Sequence, residues 1–224
     1  IIPTWQAASV LPRLLQWCRD YCSDAEIIVT DGGSTDETAE IAGQFGAHFM
    51  TGALGRGSQC SRGVAASTRP WILILHADSQ PAADFASAIN NHQQHYPGHA
   101  GYGWLRFDST DWRAAVIAYG ANIRSAVFGL PYGDQAILIP RALYDQAGGY
   151  PDWPLMEDVE LARRLKKTMG KNPLKPLKSY ITTDAVRYQR DGYGRRVIRN
   201  LSCLLAYFNG VPAAVIAARY HGQN

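Results

Sequence analysis

Acidic side chains directly follow two runs of apolar residues that resemble buried strands. Asp31 comes after the run at 26–30, and His76-Ala77-Asp78 comes after the run at 71–75. A carboxylate at Asp31 can accept a hydrogen bond from a nucleobase or a ribose, whereas a turn and a helix cap account for residues 34–36. A carboxylate at Asp78 can hold a divalent cation that bridges two phosphates, and a cap on the next helix is the alternative. These positions predict a nucleotide site.

Two further segments carry charged residues where helices are predicted to begin. Gly55-Arg56-Gly57-Ser58-Gln59 offers backbone N–H groups and an arginine, which suit an anion such as a diphosphate. The segment lacks the Gly-Lys-Ser/Thr ending of a P-loop. Glu157-Asp158 follows Trp153-Pro154 and begins an amphipathic pattern. This pair is suited to a general base, and favourable interaction with the helix dipole explains it equally well.

The elements that must position these residues alternate between strands and helices at the start of the chain. The predicted strands are 1–4, 26–30, 47–50 and 71–75, and the predicted helices between them are 9–22, 36–45 and 58–68. This order predicts an α/β fold with a mainly parallel central sheet flanked by helices. Ligands of such sheets bind beyond the carboxyl ends of the strands, where Asp31 and Asp78 stand.

The rest of the chain departs from this alternation. The sequence predicts helices at 82–95, 111–128 and 156–169, and strands at 102–107 and 135–139. A segment broken by Pro173 and Pro176 follows, and then a basic and apolar stretch at 195–219. No internal repeat, low-complexity tract or long linker divides the sequence, which predicts a single domain.

The composition excludes several classes of protein. The chain has 224 residues, of which 46% are apolar, and a formal net charge of only +3, which indicates a compact domain and no nucleic-acid partner. Its four cysteines are scattered, so reduced thiols are expected. No apolar run is long enough to span a membrane, and no signal-peptide pattern opens the sequence. We therefore expect a cytoplasmic protein, either soluble or peripheral at the inner face of the membrane.

Two clusters of ionisable residues have simple alternative explanations. A solvated helix end explains the histidines better than a metal site does; they are His92, His95 and His99. A solvated basic face is the common explanation of the arginines Arg187, Arg190, Arg195, Arg196 and Arg199. Leucines and Phe208 accompany the later arginines, so peripheral membrane contact through 195–219 is a second hypothesis; these leucines are Leu201, Leu204 and Leu205.

Taken in order, the motifs resemble those of glycosyltransferase family 2, which has the GT-A fold, over nearly the whole chain. Residues 2–4 resemble the opening strand, 31–36 the nucleotide loop, 76–78 the Asp-x-Asp metal motif and 157–158 the Glu-Asp motif of the catalytic base. More narrowly, three segments are similar to a short bacterial branch found with radical-SAM or selenodomain proteins, the arsenosugar type: 75–78, 128–135 and 155–161.

The resemblance implies a donor site for a nucleotide-diphosphate sugar. Asp31 would bind the nucleobase, usually uracil, and Arg56 would assist at the base or at the phosphates. Further nucleotide contacts are implied for Pro3, Thr4, Gly33, Gln59 and Ala77. Asp78 would hold the Mn²⁺ or Mg²⁺ that neutralises the leaving diphosphate, and His76 replaces the first acid of the family motif as a second candidate ligand.

The resemblance also implies an inverting reaction. Asp158 would deprotonate the acceptor hydroxyl, and Glu157 would orient Asp158 or the acceptor. The acceptor side would include Asp134 and Gln135. The donor is expected to be a UDP-sugar, and the acceptor an unidentified small molecule or lipid-linked hydroxyl. Two alternatives remain open: a binding module that has lost catalysis, suggested by His76, and a sugar nucleotidyltransferase.

The implied GT-A domain spans 1–224 and has three parts. Residues 1–80 form the nucleotide-binding half, residues 81–185 the acceptor and catalytic half, and residues 186–224 a helical extension.

Overall fold

The computed structural model describes residues 1–170 and 174–221. Its first part follows the alternation that the sequence predicts, and each element ends within a few residues of its predicted bounds. The elements are β1 (Ile2–Thr4), α1 (Leu11–Tyr21), β2 (Ile28–Asp31), α2 (Thr38–Gln44), β3 (His48–Thr51), α3 (Arg56–Ala66) and β4 (Trp71–Ile74).

Strands β1, β2 and β3 form a parallel sheet, in that order among the described residues. The register pairs Thr4 with Asp31 and Asp31 with Thr51, so the carboxyl ends of all three strands meet at one edge. Both faces of β2 are buried, as expected for a parallel strand with helices on both sides. This part confirms the predicted α/β fold.

The second part of the chain is longer and less regular. It consists of β5 (Gln80–Pro81), α4 (Phe85–His95), β6 (Ala100–Asp108), α5 (Trp112–Phe128), β7 (Ile137–Pro140), α6 (Arg141–Gln146), α7 (Glu157–Met169), β8 (Leu174–Asp184), α8 (Val186–Asp191), α9 (Tyr193–Phe208) and α10 (Ala213–His221). A single 3-10 turn, Gly133–Gln135, precedes β7, so Gln135 belongs to this turn and not to the predicted strand.

The second sheet is mixed, and it stands beside the parallel sheet that the sequence predicts. Its order among the described residues is β4-β7-β6-β8-β5, and only β6 and β8 pair in parallel. Two backbone hydrogen bonds join it to the parallel sheet: the Ile1 nitrogen donates to the Leu73 carbonyl at 2.7 Å, and Leu75 N–H donates to the Ile1 carbonyl at 3.0 Å. β4 therefore lies beside β1, and their carboxyl ends lie near each other.

Strand β8 is the longest of the elements that the sequence did not predict. It contains Pro176, which has no N–H to donate to a ladder, and Lys178 has a φ of 60°. The pairing with β6 shifts register between Tyr102 and Trp104, and this irregularity accommodates both residues. Pro173, the other predicted break, lies outside the described residues.

Helices α9 and α10 divide the predicted stretch 195–219, with Gly210 and Pro212 between them. A small apolar cluster of Leu155, Cys203 and Ile216 attaches them to the segment before α7. The division into parts at 80 and 185 stays a prediction, and residues 222–224 of the last part lie outside the description. No helix in the described ranges is long and apolar enough to cross a membrane.

Candidate active site

The loop after β2 folds around the carboxylate of Asp31. Thr4 Oγ1 donates to Oδ1 at 2.8 Å, and the N–H groups of Gly33 and Ser34 donate to Oδ2 at 2.7 and 2.6 Å. Burial raises the pKa of Asp31, but the hydrogen bonds from Ser34, Thr4 and Gly33 outweigh it and hold the pKa below its ordinary value. The carboxylate is therefore ionised and committed to its own loop. Ser34 Oγ also donates to Oδ1 at 2.6 Å, so four donors occupy the carboxylate, and a nucleobase that bonds Asp31 must replace one of them.

Gln59 supports this loop through hydrogen bonds within the protein, and its side chain does not face the expected nucleotide site. Its amide nitrogen donates to the carbonyls of Thr4 at 2.7 Å and Thr30 at 2.8 Å, and its Oε1 accepts from Gly55 N–H at 3.3 Å. The side chain is buried. Both amide protons are thus used by the protein, which corrects the expectation of a nucleotide contact at Gln59 to a positioning role.

Pro3 and Ala77 lie where the sequence analysis expected them. Pro3 pairs with Thr30 in the parallel sheet, and Ala77 follows β4 between His76 and Asp78. Both residues are half-buried at the carboxyl edge of the sheet. Their side chains carry no polar group, so only their backbones and surfaces can meet a nucleotide.

The start of α3 is bound to the segment that leads into α7. Gly57 N–H donates to the Trp153 carbonyl at 3.3 Å, and Ser58 Oγ donates to the Asp152 carboxylate. A Cβ at Gly57 would overlap the Pro151 carbonyl oxygen and lie 3.0 Å from Trp153 N. Only glycine allows this approach. The helix start that was expected to receive an anion is therefore partly covered by the protein's own chain.

Arg56 connects this helix start to the predicted catalytic pair. Its Nη1 lies 3.5 Å from Glu157 Oε1; the Glu157 side chain is 1% exposed and the Arg56 side chain 36% exposed. At this distance the two groups form an ion pair and not a good hydrogen bond. One end of the guanidinium thus reaches the acid, and the exposed part remains accessible to a ligand anion.

Asp158 is held at the start of α7 with its carboxylate turned to the 3-10 turn. Gly133 N–H donates to Asp158 Oδ2 at 2.8 Å. The preceding Met156 has a left-handed φ of 67°, which redirects the chain into the helix. Burial and the charge of Glu157 raise the pKa of Asp158, and they outweigh the opposing effects of Arg56 and the Gly133 N–H. A carboxylate with a raised pKa is a stronger base, as general-base catalysis requires.

Gly133 also brings His76 next to this carboxylate. A Cβ at Gly133 would overlap Nε2 of His76 and lie 2.7 Å from Asp158 Oδ2. The Nε2 atom is buried and has no hydrogen-bond partner among the described residues. Burial, with Arg56 and Arg187 nearby, lowers the pKa of His76 well below its ordinary value, so the imidazole is neutral.

Asp78 and Asp134 complete the polar surroundings. Thr183 Oγ1 donates to Asp78 Oδ2 at 3.3 Å. Burial raises the pKa of Asp134 to about 6; Arg124 opposes this rise, whereas the charges of Asp158 and Asp78 add to it. Its buried Oδ1 has no partner among the described residues. The charges of Asp78 and Asp158 are therefore close enough to affect the ionisation of Asp134.

The candidate metal ligands fit a divalent cation that also binds a phosphate of the substrate. A Mg²⁺ ion is commonly held by one or two carboxylates together with substrate phosphates and water. Asp78 offers such a carboxylate, and neutral His76 offers the unpartnered ring nitrogen. Across residues 1–170 and 174–221, no three His, Cys, Asp or Glu residues are arranged as a complete metal cage. The remaining ligands would have to come from the substrate.

Gln135, expected on the acceptor side, is instead an internal connector. Its Oε1 accepts from Ser125 Oγ at 2.6 Å and from Arg124 Nη2 at 3.1 Å, and its Nε2 donates to the Gly103 carbonyl at 3.2 Å and to Asn122 Oδ1 at 3.3 Å. The side chain is fully buried. It cannot reach an acceptor, and it fixes the turn that carries Gly133 to α5 and β6.

Glu160 is a structural residue of the site that the sequence analysis did not assign. It accepts hydrogen bonds from Arg163 at 2.7 Å, Arg164 at 2.8 Å and Tyr207 Oη at 2.5 Å. Arg164 also donates to the Gly148 carbonyl at 2.8 Å. Glu160 thus ties α7, which carries Asp158, to α9. Its i+3 and i+4 arginines were a visible signal in the sequence, but its partner Tyr207 was not.

We expect Glu160→Gln to lower the free energy of unfolding at pH 7 by about 2 kcal/mol, allowing for the partial exposure of Arg163. The hydrogen bonds of Arg163, Tyr207 and Arg164 overcome burial and lower the pKa of Glu160 from 4.5 to about 2. Its stabilising effect is therefore present above the unfolded-state pKa and is lost as the pH falls towards 2. Urea unfolding from pH 7 to pH 3 measures this. A difference that does not narrow with falling pH would contradict it, and exposed Glu37→Gln is the control.

The family model described as "Glycosyl transferase family 2" matches residues 1–123, more than half of the 224-residue chain. The chain belongs to glycosyltransferase family 2. The matched part of this family 2 chain contains Asp31, Arg56 and Asp78, whereas Asp134 and Asp158 lie beyond it. The narrower resemblance to the radical-SAM-associated branch stays a prediction.

Curated relatives of this family 2 chain come from mycobacteria. It is 33% identical over 164 residues to the "PGL/p-HBAD biosynthesis glycosyltransferase" of Mycobacterium tuberculosis (strain ATCC 25177 / H37Ra), and equally to that of Mycobacterium bovis (strain BCG / Pasteur 1173P2). The match covers 67% of this chain and 61% of each relative. The chain thus spans about three fifths of the length of the curated relatives it matches.

Solved structures share the fold. Glucosyl-3-phosphoglycerate synthase from Mycobacterium tuberculosis, in complex with Mn²⁺, UDP and glucosyl-3-phosphoglycerate, has a TM-score of 0.63 at 15% identity, over 94% of this chain and 79% of that one. S. aureus TarS (residues 1–349) has a TM-score of 0.62 at 13% identity, over 99% of this chain and 69% of that one. At these identities the likeness shows the GT-A fold of the family 2 chain and nothing finer.

Proposed function

We propose that the protein transfers a sugar from a nucleotide-diphosphate donor, with a UDP-sugar favoured, to a hydroxyl acceptor with inversion. The observation that carries this proposal is the base: a buried carboxylate with a raised pKa, held by Gly133 N–H beside His76. Asp158 accepts the hydroxyl proton, the acceptor oxygen bonds the anomeric carbon, and the bond to the diphosphate breaks with its electron pair on the leaving oxygen. Glu157 orients Asp158 and holds Arg56.

The donor is assigned to the carboxyl edge of the parallel sheet. Asp31 faces the nucleobase, and the exposed part of Arg56 faces the base or the phosphates. The surface between them is formed by Pro3, Thr4, Gly33 and Ala77. Gln59 keeps the loop in place without touching the ligand. The complexes of glucosyl-3-phosphoglycerate synthase with UDP support uracil as the first candidate base.

We assign Asp78 and His76 to a Mn²⁺ or Mg²⁺ ion. When bound there, the ion would neutralise charge that develops on the leaving diphosphate. Complexes of glucosyl-3-phosphoglycerate synthase contain UDP with Mn²⁺ or with Mg²⁺, which supports this choice of cations. Among the acceptor-side residues we retain Asp134, whose buried Oδ1 has no partner among the described residues. The acceptor itself is a small molecule or a lipid-linked hydroxyl.

Calorimetric titration tests the donor and metal assignments. We expect UDP to bind more tightly than GDP in the presence of Mn²⁺, and UDP affinity to fall at least tenfold in Asp78→Ala. Asp20→Ala, an exposed aspartate on α1, is the control and should behave as the wild type. Equal UDP affinity with and without Mn²⁺ would contradict the metal role. If neither nucleotide binds, the transferase proposal is wrong.

A further inference from the structure

The outward face of α5 is apolar along its whole length, and no described residue covers it. Its exposed large side chains are Trp112 (72% exposed), Val116 (57%), Tyr119 (69%), Ile123 (43%), Val127 (66%) and Phe128 (59%). The face that packs against the protein carries only Ala114, Ala118, Ala121 and Ser125 as buried residues. A surface helix normally buries its large apolar residues and exposes polar ones. α5 does the reverse, which marks an interaction surface.

Helix α9, which packs beside α5, presents a second apolar stripe. Its exposed members recur at intervals of three or four residues: Ile198 (69% exposed), Leu201 (54%), Leu205 (64%) and Phe208 (57%). The two helices meet where the Arg113 guanidinium lies 4.6 Å from the ring centre of Tyr193. We call the exposed apolar residues of both helices the α5/α9 face.

The charges around this face are mainly positive. Helices α5, α9 and α10 contain no Asp or Glu. Arg195 is exposed, and the Arg199 side chain is 41% exposed. The acidic neighbours are Asp111, paired with Arg113, and Asp191, which faces Arg190, Arg196 and Arg199. Arg196 is buried and bonded to Asp191. It is therefore not one of the arginines that could contact a membrane.

We propose that the α5/α9 face docks on an anionic lipid surface. Aromatic and aliphatic side chains next to arginines suit the boundary between acyl chains and negatively charged headgroups. A second copy of the chain is a poorer occupant, because a two-fold interface would place this basic surface against itself. The sequence predicts membrane contact through 195–219. The proposal keeps α9 of that segment in the contact and adds α5, which supplies the larger apolar area.

The two helices that carry this face are connected to the candidate active site. Arg124 on α5 donates to the Leu130 carbonyl at 2.9 Å, in the loop that leads to Gly133. Tyr207 on α9 bonds Glu160 of α7, the helix that carries Asp158. Docking would bring the acceptor side close to the lipid surface; this last step rests on the proposed function, whereas docking itself does not.

Vesicle flotation without nucleotide tests the docking. We expect the protein to float with vesicles of 70% phosphatidylcholine and 30% phosphatidylglycerol, to float less with pure phosphatidylcholine, and to lose binding as salt rises. Val127→Gln and Leu205→Gln should each weaken binding about tenfold. Arg195→Gln should weaken it about fivefold. The control is Tyr21→Gln, which removes an exposed aromatic residue on α1, away from the face.

Three results would overturn the proposal: no flotation, equal binding to neutral and anionic vesicles, or unchanged binding by both apolar variants. A dimer in sedimentation analysis that Val127→Gln or Leu205→Gln dissociates would instead assign the face to a second copy. The same variants should keep the UDP affinity of the wild type, since their side chains are exposed and outside the site. Failure of docking would therefore not contradict the transferase proposal. Failure of UDP binding would not contradict docking.

Discussion

Asp158→Asn is expected to reduce sugar transfer by about 10²- to 10⁴-fold while UDP affinity stays within about twofold of the wild type. The amide keeps the shape of the carboxylate but cannot accept a proton. Asp158 is held by Gly133 N–H at the start of α7, whereas the expected nucleobase contact is in the loop after β2. The measurement is the initial rate of UDP release with a hydroxyl acceptor, together with calorimetry of UDP. The control is Asp145→Asn, an exposed aspartate on α6.

Undiminished turnover in Asp158→Asn would show that another group removes the proton. Asp134 would then be the next candidate, because it is the neighbouring carboxylate whose pKa is raised to about 6. An equal loss of turnover and of UDP affinity would mean that Asp158 supports the donor site instead of acting as the base.

Gly133→Ala is expected to lower turnover by about a hundredfold without unfolding the protein. The added Cβ would overlap His76 Nε2 and lie 2.7 Å from Asp158 Oδ2, so both side chains have to move. Displacement of catalytic groups by about 1 Å is sufficient for a loss of this size. Turnover and the thermal midpoint, measured on the same preparation, separate the two effects.

Gly120→Ala is the matched control for this substitution. Gly120 lies within α5, and a Cβ there would meet nothing within 4 Å. Alanine has the higher helix propensity, so this variant should be as stable as the wild type or slightly more stable. If Gly133→Ala keeps its activity, the close approach of His76 and Asp158 is not needed for the reaction.

Local patterns were sufficient to predict the strand ends and the charged residues that stand there. Asp31, His76 and Asp158 were visible because each follows or begins a periodic segment. Gln59 and Gln135 were placed wrongly because an amide gives no local sign of its partners. The partners of Gln59 lie 55 and 29 residues away. Only the fold brings them together.

The strand order of the second sheet could not be predicted from the sequence for a related reason. Strand β8 contains Pro176, which argues locally against a strand, and its pairing with β6 depends on a register shift. The exposed apolar face of α5 was also missed. The helical period was clear in the sequence, but which side packs inward is decided by β6 and the 3-10 turn. Periodicity alone could not show that the small residues would be the buried ones.

If the protein works as proposed, Arg56 couples the donor site to the base thermodynamically. It lies 3.5 Å from Glu157, and its positive charge opposes the rise in the pKa of Asp158. A bound diphosphate that neutralises Arg56 would remove this opposition, so Asp158 would hold a proton more tightly. Donor binding and protonation would then be linked, and by reciprocity each would strengthen the other. The UDP titration would register this as proton uptake from the buffer. Because a protonated Asp158 cannot accept the hydroxyl proton, the rate of transfer would then rise with pH until Asp158 is ionised in the donor complex.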